Sequence, residues 1–164
     1  MMRRGLRSLM VAALCMVPAA GMAQDLVTVG TVGVWDVLVD PTIGNGCLIN
    51  AEFEDGSDVR IGFDPEKGNG YLMAMNADWG DIEDDKTYPV SFDVDGQVYQ
   101  GEGKGLHLDG LPGLDIAFDS ADFLMDIAQK QTLTLSNAEG EVMSIDLTDS
   151  YAALEAAVAC QQNQ

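Results

Sequence analysis

Residues 32–40, VGVWDVLVD, and residues 47–54, CLINAEFE, are two short runs rich in β-branched and aromatic side chains. A third run, DVRIGF at residues 58–63, follows the second one after the turn sequence Glu54-Asp55-Gly56-Ser57. An Asp-Gly pair suits a tight hairpin because Gly readily adopts the positive φ that such turns need. These three runs therefore predict consecutive antiparallel strands.

The same succession of strand and turn continues along the chain. Asp95-Gly96 separates YPVSFDV from QVYQGEG, and residues 137–140, NAEG, separate QTLTLS from EVMSIDL. Short strands with regularly spaced turns are typical of antiparallel sandwiches and barrels, and the crossover helices of a parallel βαβ fold are missing. We predict a mainly β protein of roughly ten strands, built as an antiparallel β-sandwich or an open barrel of hairpins.

Two segments have helical periodicity. Asp119-Ser120 is a capping sequence before residues 121–129, ADFLMDIAQ, a short internal helix with Leu124, Ile127 and Ala128 on one face. Thr148-Asp149-Ser150 is a second capping sequence before residues 151–161, YAALEAAVACQ. This C-terminal helix places four residues on one side: Leu154, Ala157, Val158 and Gln161.

The first 23 residues have the features of a secretory signal peptide. A basic start at Arg3, Arg4 and Arg7 precedes an apolar stretch and ends in small residues up to Ala23. The apolar stretch contains Pro18 and falls short of the roughly 20 residues that span a bilayer. We predict removal of residues 1–23, one β-rich domain over residues 24–164 with no integral membrane segment, and a periplasmic or secreted location.

Cysteine usage predicts one disulfide. Once Cys15 leaves with the signal peptide, Cys47 and Cys160 remain as the only pair, in a compartment that favours oxidised thiols. The chain has no C-x-x-C redox motif, and a zinc site would need another strong ligand near the pair. The bond would close a loop of 112 residues and tie the C-terminal helix to the strand that begins at Cys47.

The chain is strongly acidic, with 27 Asp and Glu against 8 Lys and Arg and a formal net charge of -19. Removal of residues 1–23 takes away three Arg and no acid, which leaves -22. Such a charge repels phosphate backbones and anionic lipid surfaces, so nucleic acid and acidic membrane headgroups are poor candidate partners. A cationic protein or cell-envelope component is the partner that this charge favours.

No catalytic constellation is found in the sequence. His107, within GKGLHLDGLPGLD, is the single histidine, and a histidine between two leucines is typical of the exposed face of an edge strand. The chain also lacks a G-x-S-x-G elbow and the D-[ST]-G of aspartic proteases. Paired carboxylates carry little information among 27 acids, so a small carboxylate hydrolase stays as a second alternative.

Residues 78–85 form the densest acidic segment. Ca²⁺ takes six to eight oxygen ligands, and this loop offers several carboxylates in a short span. The spacing differs from that of an EF-hand, and a solvated turn is the simpler interpretation. The alternative is a divalent-cation-dependent module that binds Ca²⁺, the one cofactor considered, through Asp78, Asp81, Glu83, Asp84 and Asp85.

Three aromatic residues are candidates for a binding surface. Trp79 lies between Asp78 and Gly80 in the same loop, with Tyr71 and Tyr88 nearby in the sequence. Aromatic side chains at loops either cover the end of a sheet or form part of an interface. We consider both interpretations for Trp79, Tyr71 and Tyr88.

The order of these features resembles a known family. Trp35-Asp36-Val37, Asp40 and Cys47 come early, hairpins follow, and the small-residue helix SYAALEAAVAC closes the chain. This outline resembles the invasion-associated locus B family of small exported bacterial β-proteins. The resemblance implies a β-sandwich-like body, disulfides, no known catalytic residues, and a role in contact between bacterium and host cell. Those proteins usually carry more cysteines, and no functional residue is carried over.

These observations favour an exported, non-enzymatic acidic β-domain that binds a protein or an envelope component. The calcium-dependent module and the carboxylate hydrolase are the two alternatives.

Overall fold

The structure is a computed structural model that describes residues 25–41, 44–64 and 67–164. The predicted signal peptide, residues 1–23, lies outside the described residues. Within them the chain forms ten strands and two helices. The strands are β1 (Val27–Val32), β2 (Trp35–Asp40), β3 (Gly46–Glu52), β4 (Asp58–Asp64), β5 (Asn69–Met75), β6 (Thr87–Val94), β7 (Gln97–Leu108), β8 (Leu111–Phe118), β9 (Thr132–Asn137) and β10 (Gly140–Asp146). The helices are α1 (Ala121–Ala128) and α2 (Ser150–Gln161).

All ten strands belong to one antiparallel sheet in the order β1-β2-β3-β4-β5-β8-β7-β6-β9-β10. The two ends of this order, β1 and β10, are not paired with each other in the described part of the chain, so the sheet is not a closed barrel. Side chains from both halves of the sheet join one hydrophobic core. The fold is therefore mainly β and sandwich-like, as the sequence predicts, and is made from a single sheet that folds over on itself.

The predicted hairpin turns are confirmed. Asp95 and Gly96 have φ of 50° and 88°, the pair of positive values that a type I′ turn requires. The β9–β10 turn lies at the predicted NAEG sequence. One turn of the same kind was not predicted: Asp109 and Gly110, which have φ of 52° and 83°, join β7 to β8.

Trp35 in β2 is a fully buried member of the core. Its indole Nε1 donates a hydrogen bond of 2.9 Å to the carbonyl oxygen of Thr148, just before α2. A buried indole needs such a partner because an unpaired N–H away from water is costly. This bond joins the second strand of the sheet to the start of the last helix.

Both helices form where the sequence predicts them. The side chain of Ser120 caps α1 by accepting a hydrogen bond from the backbone N–H of Phe123, and Leu124, Ile127 and Ala128 are buried as expected. The second cap differs from the prediction. Asp149 is the N-cap residue of α2, but its backbone is left-handed, with φ of 64°, and its side chain makes no capping bond.

Helix α2 lies against β1 to β4 and also contacts α1. The predicted disulfide joins Cys47 to Cys160, with a Cα–Cα distance of 6.1 Å. Next to it the backbone N–H of Cys47 donates a hydrogen bond of 2.9 Å to Oε1 of Gln161. The last turn of α2 is thus held to β3 by one covalent bond and one hydrogen bond.

Loss of the disulfide is expected to destabilise the fold strongly. Because the bond spans a sequence separation of 113 residues, a chain-entropy treatment assigns it about 4 to 5 kcal/mol, a large share of the roughly 5 to 15 kcal/mol of a small domain. Replacement of both Cys47 and Cys160 by Ser should lower the midpoint of urea unfolding, and reductant should lower the wild-type midpoint equally. An unchanged midpoint in both experiments would contradict this contribution.

Candidate functional site

The segment between β5 and β6, residues 76–86, has to cross the sheet because β8 and β7 lie between those two strands. It crosses by hydrogen bonding to both. The N–H of Asn76 donates to the carbonyl of Pro112 at 3.1 Å, and the N–H of Asp85 donates to the carbonyl of Gly105 at 2.9 Å. Gly105 in turn donates to Lys86 at 2.8 Å. The acidic loop of the sequence analysis is therefore a fixed strap across β8 and β7.

Gly105 makes this close approach possible. A Cβ at this position would collide with the backbone carbonyl of Glu83. Glycine is common where two backbone segments pass close to each other, because it has no side chain to occupy the space between them.

Asn76 fixes the start of the strap. It is buried, and its Nδ2 donates a hydrogen bond of 2.9 Å to the hydroxyl of Ser57, which is also buried. Its Oδ1 accepts from the N–H of Asp78 at 2.8 Å, and its carbonyl accepts from the N–H of Trp79 at 3.1 Å. Asn76 thus places the Asp78-Trp79 pair relative to the β3–β4 turn, to which Ser57 belongs.

Trp79 and Tyr88 line one cavity of about 540 Å³. The β9–β10 turn and Val142 of β10 contribute to the same lining. Both aromatic side chains are half-buried and pack on the hydrophobic core. The polar residues of the lining are almost all acidic or amide: Asp78, Asp81, Asn137 and Glu139.

The orientation of Tyr88 is set by the strap. Its hydroxyl accepts a hydrogen bond of 2.9 Å from the N–H of Glu83. The Nζ of Lys86 lies 5.4 Å from the centre of its ring, within cation–π range, and also pairs with the carboxylate of Glu83. Tyr88 is therefore already held next to a cation of its own chain.

The five carboxylates proposed as calcium ligands are not directed at one point. Asp85 lies 2.6 Å from Nζ of Lys104, which lowers the pKa of the Asp85 carboxyl by hydrogen bonding and charge. Glu83 pairs with Lys86, and Asp84 pairs with His107. Asp78 and Asp81 line the aromatic cavity instead. Among the described residues no group of three or more His, Cys, Asp or Glu is arranged to hold a metal ion.

His107 lies on the part of β7 that continues past the end of β6. There β7 pairs with β8 through residues 105–108, and its other side is hydrogen bonded to the strap at Gly105. The Nδ1 of His107 lies 2.7 Å from Oδ1 of Asp84, and the side chain is exposed. The histidine thus fastens the strap to β7.

Tyr71 lies away from the cavity. It is buried with Leu38 and Leu48 in a second, small hydrophobic cluster, and burial raises the pKa of its hydroxyl. The structure therefore brings together two of the three aromatic residues considered for a binding surface, Trp79 and Tyr88, and separates the third.

Two other carboxyl groups have raised pKa values, which bears on the hydrolase alternative. Burial raises the pKa of Asp58, against the lowering effect of Arg60, and burial also raises the pKa of Asp115. Neither residue lines the Trp79–Tyr88 cavity. Asp58 instead belongs to a group around the buried Arg60, which donates to Asn50 at 3.1 Å and to Asp109 at 2.7 Å.

Comparison with solved structures places the fold among known proteins. The chain is similar in structure to invasion-associated protein B. That protein is from Bartonella henselae, and the match has a TM-score of 0.58 and 17% sequence identity over 81% of this chain and 97% of the other. This similarity bears out the resemblance seen in the sequence at the level of the fold. No protein-family model and no curated protein matches the chain.

The calcium hypothesis can be decided by thermal unfolding. Because Glu83 pairs with Lys86, Asp85 pairs with Lys104, and Asp84 lies 2.7 Å from Nδ1 of His107, Ca²⁺ would have to displace three contacts to bind these carboxylates. We expect equal melting temperatures in millimolar Ca²⁺ and Mg²⁺ at constant ionic strength. A rise specific to Ca²⁺ that is lost in the Asp81→Asn, Asp85→Asn variant would establish a calcium site at residues 78–85.

Proposed function

We propose that this chain is an exported, non-enzymatic β-domain, residues 24–164, that binds a cationic segment of a protein at the cell envelope or outside the cell. Export is supported by the signal-like residues 1–23 and by the Cys47–Cys160 disulfide, a bond of oxidising compartments. No helix in the described part of the chain is long and apolar enough to cross a membrane.

The observation that carries the binding proposal is the cavity between the strap and the β9–β10 turn. Trp79 offers an aromatic face, Tyr88 beside it already has Lys86 next to its ring, and Asp78, Asp81 and Glu139 add carboxylates to the lining. An aromatic face attracts a cation through its quadrupole, by about 0.5 to 2 kcal/mol depending on desolvation. Carboxylates at the rim add an attraction that salt screens. Lysine and arginine side chains have the chemistry that fits this cavity.

The charge of the whole molecule favours the same class of partner. A net charge of -19 creates a field that speeds the encounter with cationic surfaces and repels anionic ones. Within the described residues the nearest cation on the strap, Lys86, is already paired with Glu83. The carboxylates of Asp78, Asp81 and Glu139 that line the cavity therefore remain available to an external cation.

The structural neighbour supports a role in molecular contact. That protein from Bartonella henselae is described as invasion-associated. A fold shared with it is consistent with a domain whose task is binding, and we propose the same broad task here.

Intrinsic fluorescence offers a direct test, since Trp35 is fully buried and Trp79 is half-exposed. The probe is an acetylated Gly-Lys-Gly-Lys-Gly amide, and the control peptide has norleucine in place of both lysines. We expect a saturable change in emission with the lysine peptide that weakens with salt and is absent in Trp79→Phe.

A charge-matched pair of variants separates the cavity from the general field. Asp78→Asn with Asp81→Asn should weaken binding about fivefold or more, about 1 kcal/mol. Asp126→Asn with Glu155→Gln removes the same charge from the exposed surface of α1 and α2 and should leave the affinity within about twofold. Equal losses in both variants would show that the peptide binds through net charge alone and would contradict a specific site.

A further inference from the structure

Strand β1, Val27–Val32, is an edge of the sheet. Its one strand partner within the described residues is β2, so the opposite side of its backbone has no strand beside it. An unpaired edge presents a row of N–H and C=O groups to which another extended chain can hydrogen bond.

The side chains of β1 do not protect this edge. The sequence VTVGTV contains no charged residue and no proline, and Val27 and Val29 are 52% and 53% exposed. Natural proteins usually protect edge strands with charges, prolines or covering segments. The other edge, β10, follows that rule, since Glu141 and Asp146 are both exposed on it.

The edge is held as part of the folded body. Helix α2 contacts β1, and the hydroxyl of Thr31 donates a hydrogen bond of 2.7 Å to Asp36 on β2. Gly33, in the turn after β1, has φ of 61°, and a Cβ there would collide with the side chain of Asp149. The turn therefore lies close against the start of α2. A held strand loses little conformational entropy when a second strand pairs with it.

The net charge argues against a second copy of this chain as the occupant, because a charge of -19 makes two copies repel each other. The register between β1 and β2 shifts between Thr28 and Gly30, which is a bulge, so any strand that pairs with β1 has to follow a locally twisted edge.

Charge points to a cationic occupant. No Lys or Arg occurs between residues 25 and 59 or after residue 130, so the chain around β1 and α2 carries acids without any cation. We propose that β1 is a docking edge that pairs with an extended, lysine- or arginine-bearing segment of a partner protein. Main-chain hydrogen bonds to β1 would supply the affinity, and the acidic surroundings would select the sequence.

The test uses a fluorescein-labelled peptide in which lysine alternates with valine or threonine over eight residues. Two control peptides carry glutamate in place of lysine, or proline at two central positions. Fluorescence anisotropy should show binding of the first peptide alone, and hydrogen exchange should show that it protects the amides of residues 27–32. Loss of binding with the proline-containing peptide would distinguish strand pairing from simple charge attraction, because proline cannot donate a backbone hydrogen bond.

Three variants at two valines locate the contact. Val29→Lys places a cation on the edge and should weaken binding of the lysine peptide by about tenfold. Val98→Lys, at a similarly exposed valine of β7 (61%), should change the affinity by less than about threefold. Val29→Thr keeps a β-branched residue and should bind as the wild type does. Circular dichroism melts confirm that each variant is folded.

Other outcomes would overturn the proposal. Protection outside residues 27–32, or equal effects of Val29→Lys and Val98→Lys, would show that the edge is not the binding surface. A concentration-dependent dimer that Val29→Lys abolishes would show that the occupant is a second copy. Because β1 does not line the Trp79–Tyr88 cavity, these results are independent of the cavity experiments.

Discussion

The attachment of α2 to the first four strands is the constraint on which the rest of the structure depends. A ten-stranded open sheet leaves a large apolar face that must be covered, and α2 covers it over β1 to β4. Three contacts hold the helix there: the disulfide at Cys160, the bond from Cys47 to Gln161, and the bond from Trp35 to Thr148. The first two act at the end of α2, and the third acts at its start.

The candidate site depends on a second constraint, the order of the strands. Since β6 lies beyond β8 and β7, the chain after β5 must cross both, and this crossing carries Trp79 to the cavity that the β9–β10 turn also lines. Asn76 and Gly105 fix the crossing segment at its two ends. The carboxylates of the segment then serve different purposes. Asp84 and Asp85 fasten it to β7 through His107 and Lys104, Glu83 pairs with Lys86 inside the segment, and Asp78 and Asp81 line the cavity.

Local features of this fold could be predicted from the sequence because they depend on nearby residues. The Asp95-Gly96 turn and the Ser120 cap are of this kind. The pairing of Cys47 with Cys160 spans 113 residues and could be predicted for another reason, since these are the only two cysteines after the predicted signal peptide. The position of β6 could not be predicted, since no local signal states which strand it will join. The convergence of Trp79 with the turn at residues 137–140 was missed for that reason. The position of Tyr71 could not be predicted because β5 is largely buried on both faces, so alternation does not show where its side chain points.

The distribution of charge unites the two proposed binding surfaces. All Lys and Arg after the predicted signal peptide lie between residues 60 and 130, and several are used within the fold: Arg60 with Asp109, Lys86 with Glu83 and Lys104 with Asp85. The aromatic cavity has an acidic rim, and β1 has acidic surroundings, so both favour a cationic partner. The cavity would recognise side chains, and the β1 edge would recognise backbone.

Residue-resolved hydrogen exchange of the oxidised and the reduced protein tests the central claim most directly. If the attachment of α2 organises the first half of the sheet, reduction should speed exchange in α2 and in β1 to β4, while the amides that join β6 to β7 keep most of their protection. Equal acceleration throughout the sheet, or no change in α2, would contradict the account.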